Sequence, residues 1–200
     1  MQIVVEELEP PMAIQWARDM TDDEYFQFCA DNPDLRVERT AEGDIVIMPP
    51  VGGERSFQNS ELSAELRNWA KRDGRGRSFD SSVEFFLPNG AAYSPDASWV
   101  LRSRLDSLTK HEKKRFLRLC PDFVVELKSP SDRLSRLKSK MQEWIANGAQ
   151  LGWLLDPDQR TVYIYRPGRE PEQIVNADQV AGEGPRAGFV LQLADIWAGL

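Results

Sequence analysis

Several segments of the chain alternate apolar and polar residues, a period of two that is typical of β-strands with one buried face. The segment LRVERTAEGDIVIMPP, residues 35–50, alternates on both sides of AEGD and predicts a β-hairpin. Residues 77–101 predict two strands joined by the turn LPNG, the second running from Tyr93 to Leu101. LGWLLDPDQRTVYIYRPG, residues 151–168, predicts another hairpin, and GFVLQL predicts a strand close to the end of the sequence.

Other segments repeat their apolar residues at the spacing of a helix. In MTDDEYFQFCADNPDL, Thr21 and Glu24 have the spacing of a capping box and predict a short helix. Longer helices are predicted at about 54–71 and 134–147. Their apolar faces are formed by Leu62, Leu66 and Trp69 in the first and by Leu137, Met141, Trp144 and Ile145 in the second. A basic connection contains a further short predicted helix at 110–118. This mixture of helices and strands predicts one α/β domain with a mixed sheet.

The segment PDFVVELKSPSD, residues 121–132, combines a core-like strand with charged residues. Its apolar residues predict a strand at 122–128 that can lie inside a sheet, where an unpaired charge is costly. Because side chains alternate between the two faces of a strand, we expect Glu126 and Lys128 to share a face, about 7 Å apart. Asp96, in the predicted strand YSPDASWVL, adds a second carboxylate at the same place if the two strands are neighbours.

Two carboxylates and a lysine suit the hydrolysis of a phosphodiester. The oxygens of Asp96 and Glu126 can hold a hard cation such as Mg²⁺, which lowers the pKa of a bound water and offsets charge on the transition state. Lys128, with a pKa that burial lowers or the carboxylates raise, can position the attacking water or contact the phosphate. The same residues also fit a buried structural ion pair, in which Lys128 neutralises one carboxylate without metal or chemistry. The spacing leaves both interpretations open.

The charge of the chain is unevenly distributed. The net charge of −7 argues against a surface coated for nucleic acid. Residues 51–150, however, carry 18 basic and 13 acidic side chains, whereas residues 1–50 carry 3 basic and 12 acidic ones. The electropositive middle of the chain contains both candidate carboxylates and can hold a polyanion over them.

Composition excludes several classes of protein. No apolar run approaches the roughly 18 residues of a membrane span, and the acidic start MQIVVEELEPPM lacks the basic region of a secretory signal. Cys29 and Cys120 are far apart and lack metal-type spacing, which predicts reduced thiols in a cytoplasmic protein. His111 is the sole histidine and lies in a polar, basic segment. We therefore expect any hydrolytic chemistry to depend on carboxylates, lysine and a metal.

The segments SPDAS, CPDFVVELKSPSD, KMQEWIANGAQLGWLLDP and VYIYRPG, in this order, resemble the Uma-type family of restriction-endonuclease-like proteins. That family belongs to the PD-(D/E)XK nuclease superfamily and has many cyanobacterial members. The likeness extends from GGERS near residue 52 to GFVLQL near residue 193. It implies an α/β fold with a restriction-endonuclease-like core, in which a mixed β-sheet is flanked by helices and accompanied by additional β-hairpins.

By this resemblance, Pro95-Asp96 matches the PD motif and Glu126-Leu127-Lys128 matches the (D/E)XK motif. The resemblance implies an endonuclease that hydrolyses DNA phosphodiester bonds. Its catalytic residues would be Asp96, Glu126 and Lys128. The two carboxylates would bind Mg²⁺, for which Mn²⁺ can substitute, and the lysine would position water or phosphate.

The superfamily often adds a carboxylate from the first core helix, a role that the resemblance opens to Glu54 or Glu61. A solvated helix edge is the alternative for both residues. Lys140, on the helix after the ELK motif, is a candidate for supporting a ligand or contacting the phosphate, with a surface lysine as its alternative.

We expect a single domain over residues 1–200, with an N-terminal helical extension at 1–34 and the nuclease-like core at 35–200. A homodimer is expected, because nucleases that cut both DNA strands are commonly dimeric. The alternative function is a catalytically inactive protein on the same fold that binds nucleic acid or has a regulatory role.

Overall fold

The computed structural model describes residues 12–14 and 20–200, so the start of the predicted N-terminal extension lies outside the described residues. Its helices and strands follow in this order: β1 (Met12–Ile14), α1 (Asp22–Asp31), β2 (Arg36–Arg39), β3 (Ile45–Met48), α2 (Gly53–Asp73), β4 (Gly76–Asp80), β5 (Phe85–Phe86), β6 (Ala92–Tyr93), β7 (Ala97–Leu101), α3 (Arg102–Asp106), β8 (Phe123–Leu127), α4 (Leu134–Ala146), β9 (Leu151–Asp156), β10 (Thr161–Tyr165), β11 (Glu172–Val175), β12 (Gln179–Ala181), β13 (Val190–Gln192) and α5 (Ala194–Ala198).

The chain divides into two compact units, each assembled from segments that are separate in sequence. The first unit consists of Met1–Pro50, Glu84–Ser94 and Thr109–Leu119, and the second of Val51–Val83, Pro95–Leu108 and Cys120–Leu200. The expected single domain, with its boundary between residues 34 and 35, stays a prediction.

The first unit contains helix α1 and a five-stranded sheet with the order β1-β3-β2-β6-β5. The capping box predicted for α1 is confirmed, because the Glu24 backbone N–H donates to the Thr21 hydroxyl and the Glu24 carboxylate accepts from the Thr21 backbone N–H. β2 and β3 form the hairpin predicted at 35–50. Helix and sheet enclose a core made of Tyr25, Phe28, Val37, Ile45, Ile47, Phe86 and Ala92.

The second unit contains a six-stranded sheet with the order β11-β10-β9-β8-β7-β4. β8 and β9 are parallel and the other neighbouring strands are antiparallel, which confirms the predicted mixed sheet. Helix α2 packs against the face that carries Val125 and Leu127. Helix α4 packs against the opposite face, which carries Gly152 and Glu126. The central strand β8 is therefore covered by a helix on each side.

The long helices follow the sequence prediction closely. α2 and α4 correspond to the helices predicted at 54–71 and 134–147. The apolar stripe of α2 is buried, and in α4 the residues Met141 and Trp144 are buried whereas Leu137 and Ile145 are half-buried.

The predicted strand from Tyr93 to Leu101 is instead two strands that belong to different sheets, β6 and β7. The break falls at Ser94, Pro95 and Asp96. The Ser94 N–H donates to the Glu38 carboxylate at 3.0 Å, and Pro95 has no N–H to give to a ladder. The interruption leaves Asp96 just before the start of β7.

The prediction of a short helix at 110–118 is also wrong. A single 3-10 turn at Glu112–Lys114 replaces it, and a helical segment, α3, lies earlier in the connection. The Leu117 N–H donates to the Glu84 carbonyl at 2.9 Å, and the Leu117 carbonyl accepts from the Phe86 N–H at 2.9 Å. These backbone groups bond to a strand and are not available for a helix.

Two expectations from composition concern membrane-spanning segments and the cysteines. None of the helices in the described part of the chain has the length and apolar character needed to cross a membrane. Cys29 and Cys120 are free thiols, and burial raises the pKa of each to about 12.

We expect Gly76→Ala to lower the free energy of unfolding by about 2–3 kcal/mol, because a methyl group cannot fit in β4 without overpacking. A Cβ at this position would lie 2.2 Å from Trp99 Cε2 and 2.5 Å from the Val100 carbonyl oxygen. Urea denaturation followed by tryptophan fluorescence measures the change. Ser78→Ala, two residues along the same strand, is the control and should cost about 1 kcal/mol or less. Equal losses in both variants would contradict the packing argument.

Candidate functional site

The predicted neighbours β7 and β8 lie side by side in the second unit. Ala97 pairs with Val125 in their antiparallel ladder, so the next position along each strand is Asp96 on one and Glu126 on the other. Both residues are buried, with about 5% of the surface of Asp96 and 4% of that of Glu126 exposed. The structure therefore places the two candidate carboxylates at the same end of the strand pair.

Asp96 is held by donors from α2 and β8. Its Oδ2 atom is 2.5 Å from Nη2 of Arg55 and accepts the Leu127 backbone N–H at 2.8 Å. Its Oδ1 atom accepts from Nδ2 of Asn59 at 3.3 Å. A carboxylate with these charge-assisted and backbone hydrogen bonds is both neutralised and fixed in direction.

Glu126 receives its donors from α4. Its Oε1 atom accepts the indole N–H of Trp144 at 2.9 Å and lies 3.0 Å from Nζ of Lys140. Trp144 and Lys140 are four residues apart, so one face of the helix presents both groups to the strand. Lys140 thus contacts a candidate ligand, and its supporting role at the site stays a prediction.

Lys128 follows the last residue of β8, and its ammonium contacts acidic groups at the end of β9. Nζ lies 2.5 Å from Oδ2 of Asp158 and 3.8 Å from Oδ1 of the fully buried Asp156. Burial lowers the pKa of Lys128, but the hydrogen bond to Asp158 and the charges of Asp156, Asp158 and Asp132 outweigh it, and the net shift is upward. Lys128 is therefore a protonated cation in this arrangement.

The α2 side chains that reach Asp96 differ from those expected. Arg55 and Asn59, one helical turn apart, make these contacts. Glu54 is exposed, with its carboxylate beside Gly199, and Glu61 is half-buried. The role predicted for Glu54 or Glu61 stays a prediction.

Sequence reasoning missed Arg55 and Asn59, although the sequence contains a signal for them. The buried face of α2 is apolar at Leu62, Leu66 and Trp69. Nearer the start of the helix the same buried face is polar, with Arg55 and Gln58. A helix whose buried stripe changes from apolar to polar indicates that this end faces polar groups of the sheet.

The donor set is compatible with a hard divalent cation. Asp96 and Glu126 offer carboxylate oxygens, and Oδ1 of Asn59 is a buried oxygen without a hydrogen-bond partner among the described residues. Mg²⁺ commonly binds through one or two carboxylates and keeps waters for its other positions. Within residues 12–14 and 20–200, no group of three or more His, Cys, Asp and Glu side chains has the arrangement of a metal site. The residues thus fit a site with two carboxylates, each of which also contacts a side-chain cation.

Asp122, just before β8, is another buried carboxylate and lies apart from the two candidate ligands. About 5% of the surface of Asp122 is exposed, and its carboxylate pairs with Arg104 at 2.9 Å and accepts the Leu101 N–H at 2.9 Å. Like Asp96, it is a buried aspartate with an arginine ion-pair partner and a backbone donor, and its charge also interacts with that of the buried Arg186.

Comparison with solved structures finds a similar fold in a putative nuclease belonging to DUF820 from Anabaena variabilis ATCC 29413. The two chains are 24% identical, with a TM-score of 0.74 over 90% of this chain and 98% of the other. At this identity the likeness shows the fold alone. The cryo-EM structure of the DrdV–DNA complex is 15% identical and matches 57% of this chain and 9% of its own, with a TM-score of 0.38. So low a TM-score supports no argument about this chain.

Comparison with curated proteins gave no match. The sequence profile of the Uma2 family, described as "Putative restriction endonuclease", matches residues 22–194. This match covers most of the sequence and confirms the resemblance found in its motifs, and the chain therefore belongs to the Uma2 family.

Proposed function

We propose that this chain is a metal-dependent endonuclease that hydrolyses DNA phosphodiester bonds, with Asp96 and Glu126 as the ligands of Mg²⁺ or, in its place, Mn²⁺. The observation that supports the proposal is the position of two buried carboxylates at adjacent strand ends in a member of the Uma2 family. Burying two carboxylates costs free energy, and apolar residues in their place would stabilise a fold at least as well. A purely structural role therefore accounts for these residues less well than metal binding does.

The proposed roles divide between ligands and the groups that orient them. The Leu127 N–H fixes the direction of the Asp96 carboxylate, and the Trp144 indole N–H fixes that of Glu126. A bound divalent ion would supply a water of lowered pKa and offset charge on the phosphate. Donors that hold a ligand in one orientation support this chemistry, since ligand geometry depends on the hydrogen bonds of the ligand itself.

The two lysines supply positive charge beside Glu126 and at the end of β9. Lys140 contacts Glu126 and in this proposal would contact a phosphate oxygen or the water that attacks it. Lys128, with its raised pKa, acts in this proposal as a cation that positions water or phosphate, and not as a base. Its charge is shared with Asp156 and Asp158, so we expect it to contribute less than Lys140.

DNA is the proposed substrate because the middle of the chain is electropositive. Residues 51–150 carry 18 basic and 13 acidic side chains and include both carboxylates. The basic side chains of this part of the chain would hold the phosphate backbone without reading its sequence. The homodimer and the cytoplasmic location stay predictions.

A second candidate function is a nucleic-acid-binding or regulatory protein that keeps the fold without the chemistry. The contacts of Arg55 with Asp96 and of Lys140 with Glu126 favour it, because each candidate ligand already has a cation partner. Binding of a fluorescent DNA duplex without cleavage in Mg²⁺ or Mn²⁺ would support this alternative.

We expect the purified chain to nick supercoiled plasmid in Mg²⁺ and Mn²⁺ and not in EDTA. Asp96→Asn and Glu126→Gln should each lower the rate by about 100-fold or more, since either change removes a negatively charged ligand. Gel electrophoresis of the plasmid over time measures the rates. Asp122→Asn, which removes a buried carboxylate just before β8, should keep the activity. Metal-dependent nicking that survives in the first two variants would place the site elsewhere.

The lysines can be ranked by the same assay. We expect Lys140→Gln to lower kcat/KM by about 100-fold and Lys128→Gln by about tenfold, because two aspartates offset the charge of Lys128. Circular dichroism should show that both variants remain folded. A larger loss in Lys128→Gln would assign the main catalytic lysine to the ELK motif and contradict this ranking.

A further inference from the structure

Arg55 contacts the carboxylate that the proposed function assigns to a divalent ion. We infer that Arg55 is the resident counter-ion of Asp96 and that a divalent ion binds there only by displacing its guanidinium. The inference rests on the proposed function, because it concerns the same carboxylates. Nη2 of Arg55 is 2.5 Å from Oδ2 of Asp96, and the two residues are about 7% and 5% exposed.

The guanidinium of Arg55 makes fewer hydrogen bonds than that of Arg39, another buried arginine. Arg39, in the first unit, is 3% exposed, and its three side-chain nitrogens donate to the Gly90 carbonyl, the Met20 carbonyl and the Asp22 carboxylate. Arg55 donates through Nη2 to Asp96, and its buried Nη1 has no hydrogen-bond partner among the described residues. Because Asp96 is the one hydrogen-bond acceptor of Arg55 among the described residues, Arg55 loses no other hydrogen bond when it leaves.

Asp96, in contrast, does not depend on Arg55 for its position. The Leu127 backbone N–H and the Asn59 amide hold its two oxygens from β8 and α2. These donors remain when the guanidinium moves away, so the carboxylate keeps its direction toward the site. An anchored anion with a weakly anchored cation partner is the arrangement that permits exchange of one cation for another.

Electrostatics makes the exchange competitive. A guanidinium and a divalent ion that approach the same buried oxygen repel each other strongly where solvent screening is weak. Removing the charge of Arg55 leaves Asp96 as a buried anion without its counter-ion, a state that any cation stabilises. The affinity of the site for a divalent ion should therefore increase when Arg55 becomes neutral.

The experiment is calorimetric titration of the purified chain with MnCl₂ in the absence of DNA. We expect Arg55→Gln to bind Mn²⁺ at least about tenfold more tightly than the wild type. Arg55→Gln combined with Asp96→Asn should lose this gain. Arg104→Gln is the matched control, since it also removes the ion-pair partner of a buried aspartate, Asp122, although Arg104 is more exposed than Arg55 and the charge of Arg186 still acts on Asp122. Its affinity should equal that of the wild type.

The outcomes separate the inference from the proposed function. Equal Mn²⁺ affinity in Arg55→Gln and the wild type, with binding lost in Asp96→Asn, would overturn the inference and leave the metal site intact. Absence of binding in every variant, Arg55→Gln included, would overturn both. A similar gain in Arg104→Gln would show a general effect of lost positive charge and would also overturn the inference.

A second measurement applies if Arg55→Gln does not fold. The side-chain Nε–Hε signal of Arg55 in the ¹⁵N spectrum of the wild type can be assigned by its loss in Arg55→Lys. We expect this signal to shift in proportion to Mg²⁺ saturation. Saturation of an Asp96-dependent Mg²⁺ site with an unchanged Arg55 signal would contradict displacement.

Discussion

The burial of the Asp96 carboxylate is the constraint on which the candidate site depends. Its ion pair with Arg55 joins the first turn of α2 to the position just before β7, while the other donors to Asp96 come from β8 and from Asn59. A carboxylate so deeply buried is tolerated because these donors replace the water that it has lost. The end of the sheet is consequently polar, although the strands beside it are apolar.

Charge balance connects the two sides of the sheet. Asp96 receives a guanidinium from α2, and Glu126 receives an ammonium from α4, so each helix neutralises one carboxylate. The same pairs make the buried carboxylates tolerable in the folded chain, and in our proposal a divalent ion competes with them. The proposed nuclease and the alternative, a protein that only binds DNA, would share this framework and would differ in whether a metal displaces the cations on the helices.

Prediction from sequence was most accurate where local rules determine structure. The capping box at Thr21 and the apolar stripe of α2 require only nearby residues, and both were confirmed. Prediction from sequence failed where long-range contacts determine the structure. The strand predicted at Tyr93–Leu101 is broken because Ser94 bonds to Glu38, and the helix predicted at 110–118 is lost because Leu117 bonds to a strand.

The sequence by itself determined a mixed α/β fold with one carboxylate beside the start of a strand, another within the next strand of the sheet, and a lysine two positions after the second. Strand periodicity and the family motifs contain that information. Only the tertiary structure decided which cation pairs with which carboxylate. Arg55 and Asp96 are separated by 41 positions, and Lys128 lies beside Asp158 because β8 and β9 are parallel neighbours. Such pairings depend on how helices and strands pack, and the spacing within one strand cannot specify them.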